Sequence, residues 1–536
     1  MSGTIVAPQP EAVEAGAEAL RRGGNAVDAA ITCALVQGVV DPMMTGIAGF
    51  GSLHLYLPRR GVHTVIDFHG RAPAAARPDM WADRIEGETR DGFGFVLRGH
   101  VNDVGYQAIT VPGSLKAYWE AQTEFGALRW ADVVRPAIEY AEAGFAVRPH
   151  VHAFWTEPGA LGRAGTVERL RFSAPGRRIY FTQRDGAAEL LQPGARLRNP
   201  DMARTLRRVA EHGADVFYTG EIAEEIAADM ARHGGLLTYD DLRGYKTTRT
   251  DPLWGEYRGL RVATNRPPGG GVMLLEMLNV VEGFDLAALG HNTAEYIRTV
   301  AEAMKRATID KDASVGDPAF VDVPLDRLLD KRYAAGLADE IRRGVRARVP
   351  RLGGGESKNT THVSVVDGEG NAASMTHSLG MPSGVITEGL GFMYNGCMGV
   401  FDPRPGRAGS IAPGKSRFSA LCPSIVFRGD APEIVIGAPG GAHIAVGVLQ
   451  ALLDVVDFSM PIAEAVAAPR FSATSDVIEV SNRIPTFVTR ELEAQGYTVA
   501  RSHLSYAFAS VHAIAREDGR WRGGADPGRD GMALDV

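Results

Sequence analysis

The chain has 536 residues, 45% of them apolar and 23% charged, with 30 Pro and 64 Gly, a composition that excludes a disordered, collagenous or coiled-coil protein. Its formal net charge of −7 is spread along the sequence, so no basic footprint for nucleic acid is present and no such partner is expected. Three cysteines, Cys33, Cys397 and Cys422, lie far apart with no metal or disulfide spacing, which suits a reducing compartment.

The opening MSGTIVAPQPEAVEAG has neither the basic nor the apolar region of a signal peptide, and no run of 18 apolar residues follows. A cytoplasmic protein without a membrane partner is the expectation. Small and apolar residues at helical spacing over 10–22, then AVDAAITCALVQGVV after a GGN turn, predict two leading helices, the second largely buried around Cys33. LHLYL and HTVIDF, joined by PRRG, predict a hairpin, so the connections are not those of a βαβ dinucleotide fold. Helical patterns then dominate from about 110 to 345, several of them stopped by Gly. From 360 onward short apolar runs such as VSVVD, AASMTHS, SIVF and EIVIG predict strands, with one helical stretch near 445–454. Between the two textures, the Gly-rich polar stretch 353–359 predicts an exposed linker.

Several motifs point elsewhere and fail on context. Gly409 to Ser416 reads GSIAPGKS and satisfies the phosphate-loop pattern, but no strand pattern precedes it and Pro423 blocks a long helix after it. PPGGGVMLLEML at 267–278 opens a helix with glycines but lacks the lysine of such a loop. His150 and His152 are two apart with no third ligand at a recognisable spacing, so they read as surface strand residues rather than a metal site. No G-x-S-x-G elbow occurs.

The stretch Asn359-Thr360-Thr361-His362-Val363 carries chemistry, because a polar linker feeds straight into a strand through a threonine. A threonine hydroxyl needs a base, and the simplest is its own α-amine, freed by cutting the chain before it. Such an amine titrates near ~7.7–8.0, close to working pH, so it can take the hydroxyl proton without a histidine.

GGNAVDAA at 23–30, TVPGSLKAY at 110–118, GADVFYTGEIAEEIAADMARHGGLLTYDDLRGY at 213–245, NRPPGGG at 265–271, TTHVSVVDGEGNA at 360–372 and APGGAHI at 438–444 occur in one order along the chain. In these segments the sequence resembles the γ-glutamyltranspeptidase family of N-terminal-nucleophile hydrolases. The resemblance implies an α/β (α+β) fold, a four-layer αββα sandwich with two antiparallel sheets. It also implies a proenzyme that cuts itself between Asn359 and Thr360 into a large subunit, 1–359, and a small subunit, 360–536, which stay together. By position Thr360 becomes the nucleophile, Ser378 takes the place of a hydroxyl that bonds it, and Gly440 and Gly441 match the oxyanion-hole pair. Thr376, two residues before Ser378, would share its strand face.

The segments that bind the donor depart from the family pattern. Where the family has an arginine for the donor α-carboxylate, this chain has His69, and Arg71 two residues on would lie on the same strand face, about 6.5 Å along. The family's Gln becomes Cys397, its amine-binding Asp becomes Val400, and of its serine pair Ser419 remains while the second is Ala420. An uncompensated buried ammonium costs several kcal/mol, so a free α-amino end should bind poorly unless another acid such as Asp402 serves.

The expectation is therefore a self-processing amidase or acyltransferase, working through an acyl-Thr360 intermediate, whose donor is not a plain γ-glutamyl group. Arg71 is the expected carboxylate anchor. The partners expected are a small-molecule amide or acyl donor and water or an amine as acceptor. No metal and no organic cofactor is expected. The alternatives are a true γ-glutamyltransferase or glutathione hydrolase, and a non-catalytic or nucleotide-binding protein on the same scaffold.

Overall fold

The computed structural model describes residues 2–89, 94–159, 162–184, 186–350 and 360–536. Asn359 and the 353–359 linker lie outside the described residues.

Seven strands form the first sheet, in the spatial order Thr248–Thr250, Val62–Phe68, Phe50–Leu57, Ala372–Ser378, Thr361–Asp367, Gly3–Ala7 and Met532–Asp535, with every neighbouring pair antiparallel. Six form the second: Leu253–Tyr257, Leu260–Thr264, Ser424–Arg428, Ala431–Gly437, His512–Glu517 and Arg520–Ala525, again antiparallel throughout. Val6, Val366, Ile425, Phe427, Val435 and Ile514 fill the space between them.

Strand parity decides which residues face which layer. Along Thr361–Asp367, Val363 and Val365 pack into the cluster shared with the helices, whereas Val366 packs against the second sheet. Over the first sheet's outer face lies the helix Ala26–Val40, every residue of which is buried. A helix apolar all round must sit inside, and its start is fixed by a capping box between Asn25 and Asp28. Helices Gly271–Val281, Ala294–Ser314 and Ile444–Val456 cover the second sheet's outer face. The layers therefore run αββα, as the sequence led us to expect.

Some elements depart from the sequence reading. The end strands Gly3–Ala7 and Met532–Asp535 pair with each other, and the first also pairs with Thr361–Asp367, so residues from both sides of position 360 share one sheet. Strands at 253–264 interrupt the helix-rich half, and helices Ile462–Ala467 and Thr486–Ala494 interrupt the strand-rich half. His150 and His152 sit on the helix Pro149–Trp155 rather than on a strand, because Pro149 starts a helix well at its first position. The segment 409–416 is a loop with no helix after it, and Lys415 Nζ donates to the carbonyls of Ala408 (2.8 Å) and Ser410 (3.0 Å). That ammonium braces its own loop.

Candidate active site

Two threonines open the central strand, and the structure separates their roles. Thr361 faces the helical layer, where its hydroxyl accepts from Gln37 Nε2 (2.9 Å) and donates to Gln9 Oε1 (3.2 Å). Thr360 faces the other way, and its Oγ1 lies 2.8 Å from Ser378 Oγ on the neighbouring strand. Ser378 Oγ also accepts the Gly380 N–H at 2.8 Å. Thr360 has φ +113°, a region that strains a β-branched residue, and Arg529 Nη1 holds its carbonyl oxygen at 3.0 Å.

Across the cleft, Gly440 and Gly441 lie between the strand Ala431–Gly437 and the helix Ile444–Val456. Gly440 has φ +145°, and a Cβ there would stand 2.6 Å from Ala509 Cα, so only glycine fits. Thr360 and Gly441 line one cavity together with Phe50, Val400, Arg417 and Ser419.

Among the described residues, three charged ones line this cavity: Arg417, Arg163 and Asp103. Arg417 is buried, its guanidinium carbon 4.5 Å from the centre of the Phe50 ring, and burial pulls its proton affinity below the ordinary guanidinium range. Arg163 and Asp103 also line the cavity, but Asp103 Oδ2 accepts from Arg169 Nη2 at 2.6 Å and from the Ala164 N–H at 3.1 Å. Burial raises the Asp103 carboxyl, yet the charge and hydrogen bond of Arg169 outweigh it and hold the group below the usual carboxylate range. The remaining wall around Val400 is apolar or neutral. Cys397 stands behind it, its thiol raised by burial and only partly lowered again by Arg417, with Sγ 3.6 Å from the Leu379 carbonyl.

Arg71 does not lie on the expected strand face and is not part of the cavity wall, because the strand ends at Phe68 and the guanidinium donates to the Lys246 carbonyl (3.0 Å) and Thr248 Oγ1 (3.3 Å). Thr376 shares the face of Ser378, but its hydroxyl is engaged by His362 Nδ1 at 2.8 Å and it is absent from the cavity wall. His69 does not face the cavity either and instead lies between Asp67 and Ser419. Asp402 also stands outside that wall, and its carboxylate accepts from Arg404 at 2.7 and 2.8 Å. Sequence reasoning missed Arg417, Arg163 and Arg529. Arg417, Ser419, Ala420 and Leu421 all face the cavity, so no strand alternation marked this stretch in the sequence.

The gamma-glutamyltranspeptidase family model matches residues 12–536. The chain belongs to that family. Within it, an acylase ACY 1 proenzyme from Pseudomonas sp. is 38% identical over 100% of this chain and 93% of its own length. A glutathione hydrolase proenzyme from Escherichia coli is 32% identical over 98% of this chain and 90% of its own. A solved cephalosporin acylase from Bacillus halodurans superposes with a TM-score of 0.88 at 29% identity, covering 99% of this chain and 95% of that one. As a member of the family the chain is an enzyme of the hydrolase and acyltransferase class with an N-terminal nucleophile, and the glutathione hydrolase reading is the less favoured one.

Proposed function

We propose that the chain is a self-processing acylase whose donor carries a carboxylate but no α-amine, such as a glutaryl amide. The observation that carries this reading is the charge of the cavity wall: Arg417 and Arg163 face the donor space, Val400 stands where an ammonium would need an acid, and Asp103 is committed to Arg169. A donor carboxylate there gains charge-assisted hydrogen bonds, whereas an ammonium meets like charge. The acylase and cephalosporin acylase names of similar proteins agree with this reading.

The chemistry follows from the groups around Thr360. Once the bond before it is cut, its α-amine takes the hydroxyl proton as Oγ1 attacks the donor carbonyl. Ser378, whose oxygen already accepts the Gly380 N–H, can donate its own proton to Thr360 Oγ1 and so steer a lone pair toward the substrate. The tetrahedral oxygen is received by backbone N–H groups at Gly440 and Gly441, each such donor being worth ~3–4 kcal/mol of barrier. The amine then returns the proton to the leaving nitrogen, and water releases the acyl group from Thr360. Subunits 1–359 and 360–536 remain one body because strands from each pair in the same sheet.

Rates on glutaryl-p-nitroanilide and γ-glutamyl-p-nitroanilide test the reading. A kcat/KM at least tenfold higher for the glutaryl compound is expected, and a clear preference for the γ-glutamyl compound would sink it.

A further inference from the structure

His69, which replaces the family's arginine, is engaged in a relay of its own. Its Nδ1 lies 2.6 Å from Asp67 Oδ2, and its Nε2 lies 2.5 Å from Ser419 Oγ. Asp67 also accepts the backbone N–H of His69 through Oδ1 at 3.1 Å, and Tyr245 donates to the His69 carbonyl at 2.9 Å, so the main chain that carries the ring is held on both sides. His69 is 1% exposed and tilts against Phe50 with the ring centres 5.7 Å apart. Ser419, by contrast, reaches the cavity wall that also holds Thr360.

We propose that Asp67, His69 and Ser419 form a second nucleophilic centre, with Ser419 able to take an acyl or sulfonyl group from an activated reagent in the same cavity. An ionised carboxylate only accepts, so His69 Nδ1–H donates to Asp67 Oδ2, and Nε2 of that tautomer is left as the acceptor for the Ser419 hydroxyl. This is the arrangement by which a serine is activated on several unrelated folds, recognised by geometry rather than by order in the chain. When Ser419 Oγ attacks an ester carbonyl, the new O–C bond forms as its proton passes to His69 Nε2. The ester O–C bond then breaks, the alkoxide leaves with that proton, and water hydrolyses acyl-Ser419 by the same route. Arg417, two residues before Ser419 along the same extended segment, faces the same space and offsets the charge that builds on the carbonyl oxygen. The proposal stands apart from the choice of donor for Thr360.

Phenylmethanesulfonyl fluoride is the probe: Ser419 Oγ passes its proton to His69 Nε2 and displaces fluoride, an O–S bond replaces S–F, and the adduct is located by peptide mass in the wild-type enzyme. A sulfonyl group on the peptide carrying Ser419 is expected, formed at a rate that Asp67→Asn lowers by on the order of 10³-fold through the wrong imidazole tautomer. His69→Gln, which keeps the bulk of the ring site, should lower it as far, while an unchanged thermal midpoint shows that both variants are folded. A Ser419 that stays unmodified while a serine protease in the same tube is labelled to completion would overturn the proposal. So would labelling of Ser419 at the wild-type rate in a folded Asp67→Asn variant.

Discussion

The cavity has two walls that differ in kind. One holds Thr360 and Gly441, backed by Ser378 and Gly440, and its geometry is made by strand register and by backbone that only glycine can adopt. The other holds Val400, Arg417, Ser419 and, behind them, Cys397 and His69, and there side chains alone decide what is bound. On the proposed reading, the first wall would perform acyl transfer and the second would read the donor. Reaction type is thus tied to the sheet, which cannot shift without losing the core, whereas donor choice rests on side chains that can change while the backbone stays where it is.

Substitutions on each wall should break this comparison differently. Ser378→Ala, on the catalytic side, removes the hydroxyl that positions Thr360 and should lower kcat by about 10²-fold for every donor, with little change in KM. Arg417→Met, on the recognition side, should lower kcat/KM for glutaryl-p-nitroanilide by roughly 10- to 100-fold, the worth of a hydrogen bond to a charged group, while a neutral butyryl anilide changes little. Val400→Asp should shift the ratio of γ-glutamyl to glutaryl turnover upward by about tenfold, by supplying the counter-charge for an α-ammonium.

A fourth substitution lies away from both walls and should leave the kinetics alone. Glu276, on the helix Gly271–Val281, has its carboxyl raised to about 9 by burial and by its hydrogen bond to Asp310. A folded-state value above the unfolded one means that the native protein binds the extra proton. Its stabilising contribution is complete below about pH 4 and is lost progressively as pH rises toward 9. Glu276→Gln should therefore flatten the fall in unfolding free energy across that window, as read by urea melts at pH 5 and pH 8, without altering kcat.

Much of the fold could be read from local pattern. The helix Ala26–Val40 was legible because an unbroken apolar run follows a capping asparagine, and the hairpin around PRRG because two alternating segments flank a turn. The end strands Gly3–Ala7 and Met532–Asp535 were not, since each is short and owes its form to a partner from the far end of the chain. The same division holds at the site. Thr360 was legible because a linker, a hydroxyl and a strand adjoin in sequence. Arg417 was hidden in a Gly/Pro-rich stretch with no periodicity to mark its direction, and Arg71 was misplaced because strand parity was carried past Phe68, where the strand stops. The link from His69 to Ser419 joins residues 350 apart in the chain, a separation that no local pattern spans.

The central claim is that Thr360 becomes an N-terminal nucleophile by cutting the bond before it. Intact masses of the purified wild type and of Thr360→Ala, taken under denaturing conditions, test it most directly. The account predicts two chains, 1–359 and 360–536, from the wild type and one whole chain of 57.3 kDa from the variant. A wild type that stays whole, or a variant that splits at the same bond, would contradict it.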